Sequence, residues 1–349
     1  MKKSLSKLIL SLLLIFVSTI NIFAENPTSK EEGFNPTPKI LHHIQDAYEW
    51  HLWGEGESAV TIPLPVILYT EGNLDIFMSS SFNHGKSQVI KGDRKYKIDL
   101  HKDFKDQIVE ENNKEFISFS ITKNVASMIL SVFLLFFLLR KTAISYKNKK
   151  EAPKGMQAFL EPLILFVRDD IIKSNIGPKY EKFTMFLMTV FFFILINNLL
   201  GLTPGAANVT GNIAVTCVLS MFTFIIITVS ANKGYWKHII KPPGTPTVLL
   251  PIMIPIEIFG VFTKPFALMI RLFANITAGH IIIFSLISLI FVASNNGENV
   301  VAGWSVAPIS TLFVLFIFLI EILVAFLQAY IFTLLSAVFI GLAVKEEDH

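Results

Sequence analysis

Polar and apolar positions divide the chain into three stretches. Residues 1–24 join a short basic start, Lys2, Lys3 and Lys7, to an apolar run from Leu8 to Phe23 that ends on the small Ala24. That pattern predicts a cleaved signal peptide, with an uncleaved anchor helix as the alternative. From Glu25 to Glu115 polar residues dominate. Within this stretch "AVTIPLPVILY" (59–69) and "RKYKIDL" (94–100), broken by Gly, Asn and Asp, predict short strands. From Phe116 the chain turns apolar. Five segments, about 116–139, 183–203, 212–232, 250–293 and 305–344, are long and apolar enough to cross a bilayer, which takes roughly 20 residues of helix. A further segment, "GMQAFLEPLILFVRDDII" (155–172), is apolar on one face only and predicts a helix lying in the interface.

The pattern predicts an all-α polytopic membrane protein. It has about five crossings, an interfacial helix and two long, steeply slanted helices at the C-terminal end, behind a small exported region with short strands. The expected divisions are a signal peptide (1–24), an exported, periplasmic region (25–115) and a membrane domain (116–349). Composition agrees: 52% of residues are hydrophobic and 16% charged, too few charges for a soluble surface on a chain of 349 residues. The net charge of +3 is no nucleic-acid footprint, because the basic residues flank membrane spans. Ten Lys or Arg lie between Arg140 and Lys182, and more between Lys233 and Lys241, whereas the linkers 204–212 and 294–304 hold none. The excess of positive charge on cytoplasmic loops then puts the N-terminal region outside and the C-terminus inside a bacterial inner membrane. The single cysteine, Cys217, excludes a disulfide framework and reads as a packing residue.

The last two segments are too long. Each holds about 40 residues, ~60 Å of helix against ~30 Å of hydrocarbon. They must kink, as Pro265 permits, or slant steeply. They also carry charge where it is costly. Between Pro242 and Val344 the charged and histidine residues are Glu257, Lys264, Arg271, His280, Glu298 and Glu321, of which Glu298 falls in the outer turn. A midplane charge costs ~2.5–3.5 kcal/mol on insertion scales, so each needs a partner or water. Glu257, Lys264 and Arg271 are spaced by seven and share a helix face, with Asn275 one turn further. His280, about two and a half turns beyond Arg271, points more to the other side. Glu321 and Gln328 are also seven apart. An antiparallel hairpin closed at 294–304 sets Arg271 level with Gln328 and His280 level with Glu321. An imidazole facing a carboxylate suits a proton relay, or equally a hydrogen-bonded pair that joins two helices. Asn275 and Gln328 fit either a hydrated path or a helix joint. Lys264 is expected to snorkel to lipid phosphates.

"PIEIFGVFTKPFALMIRLFANITAGHIII", "EILVAFLQAYIFTLLSAVFIGLA" and "NNLLGLTPG" (197–205) resemble the a subunit of the F-type ATP synthase, over roughly residues 120–344. The resemblance implies a proton-conducting stator subunit, not catalytic alone, with two offset half-channels serving carboxylates on a rotating ring of c subunits. Arg271 matches the essential arginine that blocks leak. Asn275, His280, Glu321 and Gln328 match half-channel positions, and Glu257 an acidic position nearer the cytoplasm. Some relatives hold the carboxylate and imidazole of the His280–Glu321 pair in the reciprocal arrangement. The implied partners are the c-ring, the b subunits of the peripheral stalk, other F0F1 subunits and the lipid bilayer, with no nucleic acid, cofactor or metal. The alternative is a stand-alone secondary transporter with an anion held at Arg271, which would predict internal repeats.

The resemblance leaves residues 25–115 unassigned. "HHIQDAYEWHLW" (42–53) suggests a helix carrying His42, His43, Asp46, Glu49 and His51. Its spacing matches no strong metal motif, and packing against the local strands is preferred. Every residue assigned to proton transfer lies after position 256. The exported region is therefore expected to cap the outer face, touching the first span, and to be dispensable for the chemistry.

Overall fold

The computed structural model describes residues 36–37, 40, 45–53, 60–83, 85–99, 107–111, 115–146, 155–203, 205, 207–241 and 246–345. The segment 1–24, together with His42 and His43, lies outside the described residues.

The described residues between 45 and 118 form a small β module. Strands β1 (Glu49–Trp53) and β2 (Val60–Pro63) pair as a two-stranded ribbon. β3 (Pro65–Thr70) lies between β4 (Asn73–Met78) and β8 (Ile117–Ser118) in one sheet. β5 (Val89–Lys91), β6 (Arg94–Asp99) and β7 (Gln107–Glu110) form another, with β6 in the middle. The β3–β4 hairpin closes through Glu71 and Gly72, both at positive φ, the geometry that matches strand twist. Alternation along β3 turns Val66, Leu68 and Thr70 inward, where they meet Phe77, Phe82, Val89, Tyr96 and Ile108.

A polar cluster ties the sheets together. Tyr96 Oη on β6 donates to Asp75 Oδ2 on β4 (2.8 Å) and lies 3.0 Å from the Thr70 hydroxyl. Arg94 donates to Asp75 Oδ1 (3.1 Å) and to the Thr70 carbonyl (3.2 Å). Each buried polar group thus has a partner, which burial demands. Burial is the main cause that pushes the Tyr96 phenol above its ordinary value.

Two sequence expectations change here. Residues 49–53 are a strand, not the end of a helix: the aromatic-rich "EWHLW" pairs with β2 across a bulge between His51 and Trp53. The first span starts at Lys123 rather than 116, because Ile117 and Ser118 pair with β3. Asp46 marks the start of that helix, α1 (Lys123–Ser145): its Oδ1 accepts from the Asn124 amide (3.0 Å) and its Oδ2 from the Thr122 hydroxyl (2.7 Å). A carboxylate from a distant segment thereby serves the orphan donors and the positive end of the helix dipole.

The helices follow the sequence pattern. α2 (Met156–Leu165) continues through a π-type stretch, Phe166–Lys173, and a last turn, Ser174–Ile176. α3 (Glu181–Gly201) and α4 (Ile213–Ser230) come next, then the short α5 (Lys233–Ile240). The chain closes with α6 (Leu250–Ala293) and α7 (Val300–Val344), of 44 and 45 residues. Among the described residues five helices, α1, α3, α4, α6 and α7, are long and apolar enough to cross a membrane.

Their burial is the reverse of a soluble core. α4 buries Thr216, Ser220 and Thr223 and exposes Val218, Met221 and Phe222. α1 buries Ser127, Ser131 and Thr142 and exposes Phe133, Phe136 and Phe137. In hydrocarbon, small and polar residues make the helix contacts and apolar ones face outward. Cys217 lies on the exposed side of α4, so it is not the packing residue its apolar setting suggested. The packed centre lies toward the C-terminal end of α7. The last 20 residues of α7, including Ala329, Phe332, Ala337, Ile340 and Ala343, pack with Leu187, Phe191 and Ile194 of α3 and Ile171 and Ile172 before it. Gly341 passes so close to the Asn175 carbonyl that a Cβ would collide with it. The first half of α7 instead exposes Leu312, Phe313, Leu315, Phe316 and Leu319.

Candidate functional site

α6 and α7 run antiparallel from a turn at Asn295, Asn296 and Gly297, all at positive φ. The hairpin register brings His280 on α6 against Glu321 on α7, with Nδ1 and Oε1 3.3 Å apart. Both side chains are nearly enclosed, 12% and 7% exposed, so solvent screens the contact poorly. The other imidazole nitrogen, Nε2, lies 3.2 Å from the Gly201 carbonyl at the end of α3. A carbonyl oxygen only accepts, so Nε2 carries the hydrogen. Nδ1 then faces the carboxylate, and the pair needs one further proton: on Nδ1 as an imidazolium, or on Oε1 as a neutral acid. The contact meets the ion-pair distance but not hydrogen-bond geometry, and neither atom has another hydrogen-bond partner among the described residues.

Gly279 allows the approach. A Cβ there would fall on Glu321 Oε1 and within 2.8 Å of its Cδ, so the carboxylate lies against bare backbone of α6. The connection between α3 and α4 closes over the pair. Asn198 on α3 donates to the Ala325 carbonyl, one turn beyond Glu321 (3.0 Å), and accepts from the Thr210 hydroxyl (2.6 Å). Thr277, three residues before His280, donates to the Gly211 carbonyl (3.4 Å). Sequence reasoning did not single out Gly279, Asn198 or Gly201. The available signal was small or amide residues inside apolar runs, which in membranes mark helix contacts.

Arg271 and Asn275 sit apart from this pair, exposed on α6 beside its buried stripe of Leu268, Leu272 and Ile276. Arg271 makes no hydrogen bond or ion pair among the described residues. Gln328 is buried on α7, two turns beyond Glu321, and no hydrogen bond joins it to Arg271 among the described residues. Glu257 is half-buried on α6. Lys264 does not reach outward as expected: its Nζ lies over the rings of Tyr235 on α5 (5.8 Å) and Phe339 on α7 (5.3 Å). Two aromatic faces give the ammonium a partner inside the protein. Burial first, and then the charge of Glu257, push the Tyr235 phenol above its ordinary value. Among the described residues no group of three or more His, Cys, Asp or Glu is placed to hold a metal ion.

Residues 125–341 match the family described as ATP synthase A chain. The chain belongs to that family. The ATP synthase subunit a of Chloroherpeton thalassium is 49% identical over 237 residues, covering 66% of this chain and 68% of the relative. The ATP synthase subunit a 2 of Chlorobaculum tepidum is 50% identical over 236 residues, covering 66% and 64%. The ATP synthase subunit a of Myxococcus xanthus is 44% identical over 243 residues, covering 67% and 76%. Roughly a third of the first two relatives lies outside the matched part. Residues 39–127 match a second family, described as a domain of unknown function. The family is that of the proton-conducting stator subunit of F-type ATP synthase. The chain is accordingly a multi-pass, proton-translocating member of that complex, associated with its other subunits and not catalytic alone.

Proposed function

We propose that His280 and Glu321 form the outer proton relay of this subunit, and that Arg271 separates two offset half-channels facing the carboxylates of a rotating c-ring. The observation that carries the reading is the enclosed imidazole–carboxylate contact at 3.3 Å between two helices. A proton arriving from outside passes between Nδ1 and Oε1 by exchange of the two protonation states described above, with Nε2 held on Gly201.

Arg271 supplies a fixed positive charge, since a guanidinium keeps its proton. Its lack of a partner among the described residues suits a counter-charge on another chain. A deprotonated rotor carboxylate is attracted to it; a protonated one passes through lipid as a neutral acid. Direct proton passage between half-channels is thereby blocked, and flow is coupled to rotation. Asn275 and Gln328 contribute polar atoms to the path, and Glu257 serves its cytoplasmic end. The bare apolar half of α7 and the open face of α6 supply the surface for the ring, and b subunits of the stalk complete the stator. The basic loops face the cytoplasm of a bacterium, residues 25–115 face the periplasm, and residues 1–24 act as the signal peptide.

The test is Arg271→Ala in membrane vesicles. The variant is expected to insert and assemble but to lose ATP-driven proton pumping; retained coupled pumping would refute the assignment. Copurification of a small two-span protein with a mid-membrane carboxylate separates this reading from a stand-alone transporter.

A further inference from the structure

The β module meets the membrane domain at a point that bears on the outer pair. Trp50 on β1 donates its indole N–H to the Gly205 carbonyl, 2.8 Å away. Gly205 lies under the β1 backbone with φ of 73°, and a Cβ there would be 2.5 Å from Leu52 O and 2.8 Å from Leu52 Cα. Left-handed φ and close approach together reserve the position for glycine.

Gly205 belongs to the short connection that follows Gly201, the last residue of α3. Four positions earlier, the Gly201 carbonyl accepts the imidazole Nε2–H. Beyond it, Ala207, Asn208, Val209 and Thr210 are buried, whereas Thr203 is exposed. From below it is tied to α6 and α7 by the Thr277, Asn198 and Thr210 bonds already described. From above it is held by β1.

We infer that β1 clamps the α3–α4 connection, and that Trp50 and Gly205 are positioning residues for His280, acting through the Gly201 carbonyl. The inference rests on reading His280 and Glu321 as the outer relay. It goes beyond a capping role, because the module then sets the geometry of a proton-transfer group it does not touch. The physical lever is the 3.2 Å bond at Nε2, near the long end of the useful range. A shift of a few tenths of an ångström at Gly201 weakens it, and this bond decides which imidazole nitrogen faces Glu321. Glu321 is the titratable group in contact with His280. Residues 183–212 on α3 and its connection carry none, α4 carries Cys217, α6 carries Arg271 nine residues away, and β1 adds Glu49 and His51 on the outer side.

The test uses the whole ATP synthase in membrane vesicles stripped of its catalytic part. Passive proton flux per assembled subunit is measured against pH on the outer side, then on the cytoplasmic side. Trp50→Phe keeps an aromatic ring and removes the donor; Gly205→Ala pushes the connection away from β1. For both, flux per complex is expected to fall about 3- to 10-fold, the effect of one neutral hydrogen bond. The outer-side pH of half-maximal flux should move, while the cytoplasmic-side profile stays. Should Gly205→Ala lower assembly, Trp50→Phe carries the test. Reduced assembly with normal flux per complex and an unmoved outer profile would make the contact a mere anchor and overturn the inference. His280→Ala is run alongside. If it abolishes flux while Trp50→Phe leaves flux and profile unchanged, the relay stands and the clamp falls. If His280→Ala conducts normally, the relay reading beneath the clamp is what fails.

Discussion

Glu321 rests against Gly279, a residue of α6 with no side chain to repel it. The consequence is testable by adding a single methyl. Gly279→Ala places a Cβ where Oε1 now lies, and the carboxylate must swing away from Nδ1. A misplacement of about 1 Å at a proton-transfer site costs on the order of 10²-fold in rate. Passive flux should fall by that order, with insertion and assembly preserved. Wild-type flux in Gly279→Ala would show that the close approach has no functional weight.

The pairing of His280 with Glu321 predicts rescue by exchange. His280→Glu or Glu321→His alone leaves two like groups enclosed together, whereas both changes restore one imidazole and one carboxylate. Passive flux through stripped membranes, read as a double-mutant cycle, should show coupling well beyond additivity. An exchange variant no better than the worse single variant would argue against the pair. The exchanged geometry has to be read with Gly279 in mind, since the glycine serves the carboxylate only from α7.

Asp46 predicts a stability effect remote from any proton. Asp46→Ala removes the acceptors of the Asn124 amide and the Thr122 hydroxyl. Loss of such a cap costs about 1 kcal/mol. The purified complex should lose the β module or the first span at a lower temperature, with proton flux per intact complex nearly unchanged at ambient temperature. Asp46→Asn should fall between, since an amide oxygen still accepts but carries no charge for the dipole. Equal melting of all three proteins would show that the cap contributes nothing.

Asn197 on α3 donates to the Ser131 hydroxyl on α1 at 3.0 Å, a buried polar tie between two helices. Such ties in membranes average roughly 0.6 kcal/mol. Ser131→Ala and Asn197→Leu should each weaken the hold on α1 modestly, and the double variant should be no worse than Asn197→Leu alone. Thermal release of the segment, followed by limited proteolysis at the α1–α2 loop, would measure it. Additive losses would mean that the two residues act through separate contacts.

The long apolar segments, their count and the hairpin register were legible because hydrocarbon imposes one rule on every residue of a span. Fixing the turn at 294–304 was enough to set His280 beside Glu321. The contacts that position this pair were not legible. Gly279 and Gly205 matter through the absence of a side chain beside a partner far away in sequence. Asp46 caps a helix that begins at Lys123, and nothing local distinguishes it from a surface acid. Lys264 read as a lipid-facing charge because Tyr235 and Phe339 come from other elements. "EWHLW" read as helical because its strand partner is supplied by residues 60–63.

The uneven burial of α7 has a mechanical consequence. Its final 20 residues are wedged between α3 and the segment before it, with Gly341 locked on Asn175, while its first half stands bare. No proline interrupts the helix after Pro308. A helix gripped at one end and loaded along the other is a cantilever. Drag from a body turning against the bare half becomes a bending moment at the gripped half, where small residues leave little slack. The stiffness that keeps Glu321 level with His280 under load is therefore set in the region around Ala325 to Gly341.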